Sequence, residues 1–503
     1  MASMHGAPER GYEVPRGRFT ETGRFGRMFP YLRSLRSFEP GPVALGRVGG
    51  RMDGGSPPPS DTSQNNPRIK AGYTFLGQFL DHDVTFDPTS QLEQQIDPQA
   101  TRNFRTPALE LDSVYGLGPG VQPYLYDQDN PGRMLLGADG EDLPRNSQGR
   151  ALVGDPRNDE NVLVSQLHLL FLKFHNRVFD DHTDPSASTS DRFQAAQRTV
   201  RWHYQWVLLH EFLARLVGRD VVEQTLEEMP FTFADDRPFM PLEFSVAAYR
   251  FGHSQVRPGY LLSAPGGAPV RAAVLFPDAP GAETSVGDLR GGRPVPPELR
   301  VDMAAFYGPT AQASKLVDPR ISTTLLRLPF SVVGRQADPA TPPDERPMVH
   351  SLATRNLQRG IDAHLPSGQA VARRLKVPVL DDATLWDGVE GGRGPAPLWF
   401  YVLREAEVMT GGRMLAGVGA QVVTRVFAAM LEADKASFVV QDPTWEPTLG
   451  PVPGRFTMSD LVNVTLGTDL GHEDVDALPG GATITLPASR TPSEDTVPAA
   501  AER

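Results

Sequence analysis

The stretch Leu76-Gly-Gln-Phe-Leu-Asp-His-Asp-Val84 is the most informative part of this sequence. Apolar residues recur in it with helical spacing, which predicts a short helix over Thr74–Val84. Little more than one turn of that helix carries an amide, an imidazole and two acids: Gln78, His82, Asp81 and Asp83. Crowding such groups on one turn is costly unless something binds there. The stretch therefore predicts a helix that contributes to a binding site.

Two other stretches carry chemically similar groups. Tyr249-Arg-Phe-Gly-His253 places an imidazole among apolar residues, and Gly252 removes a side chain beside it, which suits the close approach of a flat ligand. Gly154-Asp-Pro-Arg-Asn-Asp-Glu-Asn161 precedes a strongly amphipathic segment. On its own, this third stretch is explained as an acidic segment that caps a helix.

Four further histidines form two pairs with seven-residue spacing, His168 with His175 and His203 with His210. On a helix that spacing separates two residues by about 10.5 Å along the axis, which is too far to share a metal ion. We expect these four to be packed histidines whose ring nitrogens are satisfied.

Hydrophobic periodicity predicts helices along most of the remaining chain. No alternating strand pattern extends over more than a few residues, and no repeat at a fixed period occurs. We therefore expect a mainly α-helical fold with long irregular connections and little β structure. The further helices are expected over Asn161–Asp180, Asp191–Val217, Pro241–Val256, Val349–Arg359, Ser367–Leu375, Pro397–Met409, Gly419–Ala433 and, as a short one, Val462–Thr468.

The composition favours one large domain with irregular flanks. Of the 503 residues 39% are hydrophobic, and Gly and Pro number 48 each, well above their usual share. Residues 1–65 are rich in Gly, Pro and Arg, and we expect an arm that wraps over the core. Residues 66–475 would form the domain, and residues 476–503 a flexible tail.

Charge and residue usage exclude several classes of function. A net charge of −12 without a basic cluster argues against a nucleic-acid partner. The absence of cysteine excludes disulfide scaffolds, zinc–thiolate and iron–sulfur sites and cysteine nucleophiles. No run of 18 apolar residues predicts a transmembrane helix, and the first residues lack the apolar core of a signal peptide. We expect a cytoplasmic protein, leaderless export or a leader already removed.

Taken together, six motifs resemble those of the animal-type haem peroxidases, also called the peroxidase–cyclooxygenase superfamily, over roughly residues 66–470. Any one motif is a weak signal, but all six occur in family order with sensible separations. The compact length, the missing cysteines and the stretch that begins at Leu365 resemble the bacterial branch. The motifs are Gly-Gln-Phe-Leu-Asp-His-Asp at 77–83, Leu-Asp-Ser-Val-Tyr-Gly at 111–116, Gly-Asp-Pro-Arg-Asn-Asp-Glu-Asn at 154–161, His-Asn-Arg at 175–177, Tyr-Arg-Phe-Gly-His at 249–253 and Asn-Leu-Gln-Arg-Gly at 356–360.

The resemblance implies a single haem-peroxidase domain that holds a b-type haem through the imidazole of His253. Asn356 would accept a hydrogen bond from the second nitrogen of that imidazole, which fixes the ligand's orientation. Arg359 would pair with a haem propionate.

On the other face of the haem, the resemblance gives His82 the role of the base that moves a proton during peroxide cleavage. Arg157 would stabilise the charge on the departing oxygen. Gln78 would hold water or a halide nearby.

The resemblance also implies a calcium site. A helix turns Asp83 about 100° away from His82, so the two side chains serve different purposes. The family pairs this Asp with a loop whose oxygens are hard donors suited to calcium. Glu110 stands where an Asp is usual, and Asp112 stands where mammalian members have Ser. The expected ligands are Asp83, Thr106, the carbonyl of Ala108, Glu110 and Asp112.

Asp81 and Glu160 match acids that the family esterifies to haem methyl groups. Ester formation would remove two charges from the edge of an apolar cofactor, where burial is costly. Asn161 stands where some members have a Met that forms a sulfonium link. We therefore expect up to two ester bonds and no sulfonium.

The implied activity is reduction of hydrogen peroxide coupled to oxidation of a small donor, such as a halide, thiocyanate or a phenolic compound. The nearest alternative is a fatty-acid dioxygenase of the same superfamily, which uses a Tyr three residues before the axial His. Here Arg250 occupies that position, and Tyr249 is offset by about 100° on a helix.

A second alternative is a non-enzymatic adhesion or matrix protein that kept the fold. The presence of His82, Arg157, His253 and Asn356 together argues against it. Catalase-like activity, the donor, the oligomeric state and the compartment stay open at this point.

Overall fold

The computed structural model describes residues 25–85, 106–137, 139–228, 233, 238–264, 266–267, 269–276, 287–333 and 341–471. Helices dominate these residues, so the expected mainly α-helical fold is confirmed. The α-helices are α1 (Pro42–Gly46), α2 (Ala71–Val84), α3 (Asp112–Tyr115), α4 (Val162–Asp181), α5 (Thr189–Trp206), α6 (Leu213–Val217), α7 (Arg219–Glu228), α8 (Gly252–Gln255), α9 (Thr323–Leu326), α10 (Phe330–Val333), α11 (Pro347–His350), α12 (Leu352–Asp362), α13 (Gly368–Leu375), α14 (Asp382–Leu385), α15 (Leu398–Thr410), α16 (Gly417–Ala433), α17 (Phe438–Gln441) and α18 (Met458–Leu466).

Short strands fasten distant parts of the chain to one another. Strand β1 pairs in parallel with β3, β2 pairs antiparallel with β6, and β4 pairs antiparallel with β5. The strands are β1 (Phe25–Gly26), β2 (Asn65–Lys70), β3 (Met240–Pro241), β4 (Gly259–Leu261), β5 (Ala272–Val274) and β6 (Ala313–Lys315).

The core is built around α2 and α4, which the sequence predicted closely. Phe79 of α2 stacks on Phe171 of α4 with ring centroids 4.8 Å apart, and the ring of Tyr204 meets Phe171 edge-on. The expected start of α4 at Asn161 is one residue early, because Asn161 caps the helix by accepting the backbone N–H of Val164 at 2.9 Å. This packing fixes the face of α2 that carries His82.

The helix predicted over Asp191–Val217 is continuous but not uniform. It begins after Ser188, whose hydroxyl caps α5, and a π-helical segment over Val207–Phe212 joins α5 to α6. Gly218 ends it at a φ of 87°, a conformation that glycine adopts without strain. Helix α7 follows at once and was not predicted.

The helix expected within Pro241–Val256 is present but is broken into three segments. After β3 the chain forms a π turn at Glu243–Ala247, a 3-10 turn at Ala248–Phe251 and then α8. The backbone leaves helical geometry at Ala247, whose φ is −129° and ψ is −76°. Local contacts override the periodicity, since Arg250 Nε donates to the carbonyl of Ser245 at 3.0 Å.

The part of the N-terminal arm that is described, from Phe25 onward, lies against this broken segment. The backbone N–H groups of Met28 and Phe29 donate to the Glu243 carboxylate at 2.9 and 3.1 Å. Arg27 donates to the carbonyl at the end of α12, that of Ala363, at 2.8 Å. Residues 1–24 and the expected tail at 476–503 lie outside the described residues, so the domain limits stay a prediction.

Among the helices of the described residues, none is long and apolar enough to cross a membrane.

Candidate active site

The structure brings the two histidines singled out by the sequence onto elements that pack together. Helix α2, which carries His82, contacts α8, which begins with Gly252 and His253. The hydroxyl of Tyr249 donates to the carbonyl of Gly77 at 3.1 Å, which ties the two elements to each other. His82 and His253 thus lie on elements that contact each other.

On the α2 side, His82 belongs to a chain of buried hydrogen bonds. Its Nδ1 lies 2.8 Å from Oδ1 of Asn158, and Nδ2 of Asn158 lies 2.9 Å from Nδ1 of His168. Its Nε2 lies 3.8 Å from a carboxylate oxygen of Glu160. Asn158 and His168 were not predicted to belong to the site, although Asn158 stands in the quoted stretch 154–161.

Glu160 is held by one amide, which a second amide positions. Gln78 donates to its carboxylate, and Asn161 donates to Oε1 of Gln78 at 3.2 Å. The Glu160 side chain is 48% exposed, yet burial within the protein raises its pKa to about 7. Burial likewise raises the pKa of Asp81, whose side chain is 34% exposed. Both carboxyl groups are therefore partly exposed, yet desolvation disfavours their charged forms.

The guanidinium of Arg157 lies against the C-terminal end of α2. Its guanidinium pairs with the buried Asp155 at 2.8 Å and donates to the carbonyls of His82, at 3.2 Å, and Thr85. The carbonyl end of a helix favours a cation. Its Nη1 is 3.9 Å from the Asp81 carboxylate, so the cation stands beside that acid.

On the other side, Nδ1 of His253 lies 2.7 Å from Nδ2 of Asn356. The expected contact is present, but the amide presents its nitrogen because its oxygen accepts Nη1 of Arg250 at 3.0 Å. Burial, and next the charge of Arg250, lower the pKa of His253 to about 3. The imidazole is therefore neutral, as a metal ligand must be.

Three arginines gather beside His253. Burial, and next the charge of Arg359, lower the pKa of Arg250 to about 10. Burial and then Arg359 also lower the pKa of Arg355 to about 10. Guanidinium groups that are close together and desolvated favour a bound anion.

The space next to α8 suits a flat group. A Cβ placed on Gly252 would meet nothing within 4 Å, although its neighbours Phe251 and Ser254 are buried. The space is thus bordered by a neutral imidazole, an open glycine and an arginine cluster. These features fit haem, which needs an axial nitrogen, room for a planar ring and cations for two propionates.

The expected calcium residues come together only in part. Asp83 accepts the backbone N–H of Leu111 at 3.1 Å and the hydroxyl of Tyr204 at 3.2 Å. Burial, and next Asp112, raise the pKa of Glu110 to about 7, so these two acids are neighbours. Within the described part of the chain, no group of three or more His, Asp or Glu side chains is arranged to hold a metal ion. Of the expected ligands, the structure thus places Glu110 and Asp112 next to each other, whereas Asp83 is bonded to Leu111 and Tyr204.

The remaining paired histidines differ from one another. The prediction of satisfied ring nitrogens is confirmed for His175 and His203, each of which makes hydrogen bonds at both nitrogens. It is wrong for His210: among the described residues its buried Nε2 finds no hydrogen-bond partner, and its ring stacks on Trp206 at 3.7 Å.

Comparison with known proteins decides the family. The model of the animal haem peroxidase family matches residues 90–381, more than half of the chain. The chain belongs to the animal haem peroxidase family. The resemblance found in the sequence is thereby confirmed, and membership implies haem as the cofactor. The match covers Arg157, Glu160, His253 and Asn356, but it begins after the stretch that carries His82.

The relatives are distant. A peroxidase-like protein of Margaritifera margaritifera is 26% identical over 298 residues, 46% of this chain and 37% of its own length. Thyroid peroxidase of Rattus norvegicus is 27% identical over 185 residues, 32% of this chain and 20% of its own. The matched part of this chain thus spans well under half the length of these relatives.

Solved structures agree on the fold. Peroxidase A of Dictyostelium discoideum has a TM-score of 0.59 at 15% identity and covers 88% of this chain and 93% of its own. The fatty acid alpha-dioxygenase of Oryza sativa has a TM-score of 0.52 at 15% identity and covers 78% of this chain and 72% of its own. Because both enzyme types share the fold, the fold leaves the activity open.

Proposed function

We propose that this protein is a haem-dependent peroxidase that reduces hydrogen peroxide and oxidises a small donor, such as a halide, thiocyanate or a phenolic compound. One observation carries the proposal: the two histidines lie on elements that pack together, and each contacts a buried amide through Nδ1. His253 would bind the iron through Nε2, and His82 would face the peroxide.

The arginines beside His253 would hold the cofactor's acidic groups. Arg359, on the same helix as Asn356, would pair with a propionate, and Arg250 and Arg355 would add positive charge. These contacts orient the ring relative to α8, and three cations at one place match two anions without leaving a buried negative charge.

Bound haem would supply the iron that takes up the oxidising equivalents of peroxide until the donor consumes them. Nε2 of His82 would take the proton of the peroxide oxygen nearest the iron and return it to the other oxygen, which leaves as water. Arg157 would stabilise negative charge on that oxygen from the end of α2. Gln78, fixed by Asn161 and Glu160, would hold a water molecule or halide beside it.

The acids at the edge of the space support covalent attachment of the cofactor. The carboxyl groups of Asp81 and Glu160 are desolvated, which disfavours their charged forms. Ester bonds to the haem would remove both charges. Asn161 caps α4, and no sulfonium link can form there.

The position that distinguishes a fatty-acid dioxygenase supports the peroxidase instead. Three residues before His253 stands Arg250, whose guanidinium bonds Asn356. The hydroxyl of Tyr249 is directed to the Gly77 carbonyl on α2. A Tyr in the position that those enzymes use is therefore missing.

The test is stopped-flow mixing of the haem-loaded protein with peroxide. His82→Ala should keep its haem and react about 10²–10⁴ times more slowly, because general acid–base catalysis contributes that much. His182→Ala, which changes an exposed histidine at the end of α4, is the control. A His82→Ala variant with the wild-type rate would contradict the proposal, and oxygen uptake with a fatty acid would favour the dioxygenase.

A further inference from the structure

The hydrogen bonds behind His82 form a fixed line through the interior. His82, Asn158 and His168 are 4%, 0% and 1% exposed, and the two links measure 2.8 and 2.9 Å. His168 lies in α4, which is anchored by the Phe79–Phe171 stack, so both ends of the line are attached to the packed core.

The turn that carries Asn158 is itself braced on both sides. The backbone N–H of Asn158 donates to the Asp155 carbonyl at 3.0 Å. The next residue, Asp159, forms two hydrogen bonds of 2.8 Å with the Arg145 guanidinium. The amide of Asn158 therefore has little freedom to move away from the two imidazoles.

An amide links two imidazoles in only one sense at a time, because it has one donor end and one acceptor end. The Asn158 Nδ2 group donates to His168, which requires a lone pair on Nδ1 of His168. Burial lowers the pKa of His168 to about 3, so the ring is neutral, and its Nδ1, 2.9 Å from Asn158 Nδ2, then carries the lone pair that this contact needs. The Asn158 oxygen then accepts a proton from Nδ1 of His82.

We propose that Asn158 and His168 are positioning residues that hold His82 in the tautomer with its proton on Nδ1 and its lone pair on Nε2. This inference rests on the proposed function for its purpose, since Nε2 is the nitrogen that would accept the peroxide proton. The selection of one tautomer removes the fraction of molecules in which the base is blocked. His168, at the far end of the line, determines which end of the Asn158 amide faces each imidazole.

The test is nitrogen-15 NMR of histidine-labelled protein in the diamagnetic ferrous–carbonyl state, which reads the protonated nitrogen of each ring. In the wild type, His82 should carry its proton on Nδ1 and His168 on Nε2. Asn158→Leu should lose this preference at His82. Asn158→Asp keeps the acceptor and lacks the donor, so it should retain Nδ1–H at His82 and move the His168 proton to Nδ1.

Reaction with peroxide provides the second readout. Asn158→Leu and His168→Leu should slow it about 10- to 100-fold, the usual range for a residue that orients a catalytic group. Asn158→Asp should restore most of the rate. His175→Leu, which removes another buried histidine of α4, controls for lost packing and should keep the wild-type tautomer at His82.

Wild-type protein with the His82 proton on Nε2 would overturn the inference, as would an unchanged tautomer in Asn158→Leu. The haem-free protein gives the same tautomer readout. If peroxide chemistry is absent and the tautomers are as expected, the proposed function fails and the positioning role stands.

Discussion

Asn356 and His253 touch through Nδ2 and Nδ1 at 2.7 Å, although 103 residues separate them in the sequence. Iron at Nε2 requires the imidazole proton at Nδ1, so the amide must then present its oxygen. A half-turn of the Asn356 amide would satisfy this and would end the bond from Arg250. We expect cofactor binding to reorient this amide and to turn Arg250 toward a propionate.

The first prediction concerns this contact. Asn356→Leu should release haem about 10- to 100-fold faster, because the orienting hydrogen bond of the axial ligand is lost. Asn356→Asp, which can only accept, should release haem no faster than the wild type. Transfer of haem to excess apomyoglobin measures the rates. Asn176→Leu, at a buried asparagine that makes two hydrogen bonds to the backbone of Met134, controls for lost stability.

The sequence was enough to single out His82 and His253 as candidate site residues. It also predicted the helices in which apolar residues recur over long stretches. Helix α4 differs from its prediction by one residue at each end. Its apolar residues all face the core, so periodicity alone defines it. The group of polar residues on α2 was recognisable in the sequence because little more than one turn of the helix holds His82, Gln78 and two acids.

Longer-range relationships could not be predicted. The link from His82 through Asn158 to His168 joins three segments, and a buried histidine in a helix carries no sign of its partner. The segment before His253 has helical periodicity, but the bond from Arg250 to the Ser245 carbonyl and the arm on Glu243 impose a different path. Tertiary contacts decide such cases.

The second prediction concerns covalent haem. After treatment with peroxide, acid–organic extraction should leave haem on the protein, and peptide mass spectrometry should find it on Asp81 and Glu160. Asp81→Asn and Glu160→Gln should each remove one link, and the double variant should release all haem. Complete extraction from peroxide-treated wild type would show that these acids serve another purpose.

The third prediction concerns calcium. If calcium binds Asp83 and the loop 106–112, it should relieve repulsion between Glu110 and Asp112, and chelation should lower the melting temperature. A ligand at 100 times its Kd stabilises the native state by about 2.7 kcal/mol. Magnesium should substitute poorly, and Asp83→Asn should abolish the response. An unchanged melting temperature with no metal by elemental analysis would exclude the site.

The fourth prediction is a pH effect away from the site. Glu405 lies on α15 and is buried beside the start of α16, where it accepts the Gly419 N–H at 3.3 Å. Burial raises the pKa of Glu405 to about 8. The folded state therefore prefers the protonated acid. Its contribution to stability is present below the ordinary value near 4.5 and is lost as the pH rises to about 8.

Denaturant unfolding at pH 5 and pH 8 measures this effect. Glu405→Gln should lose less stability than the wild type between the two values, because the amide does not ionise. Equal losses in both proteins would mean that Glu405 does not titrate in this range. Glu407→Gln is the comparison, because Glu407 lies on the same helix, α15, is half-buried and bonds Arg404.

The most direct test of haem binding through His253 is a stoichiometric haem titration that is monitored at the Soret band. The wild type and His182→Ala should each bind one haem per chain. His253→Ala should bind none or lose it on desalting, because the axial imidazole is gone. A His253→Ala variant with an unchanged Soret band and full stoichiometry would contradict the assignment of His253 as the iron ligand.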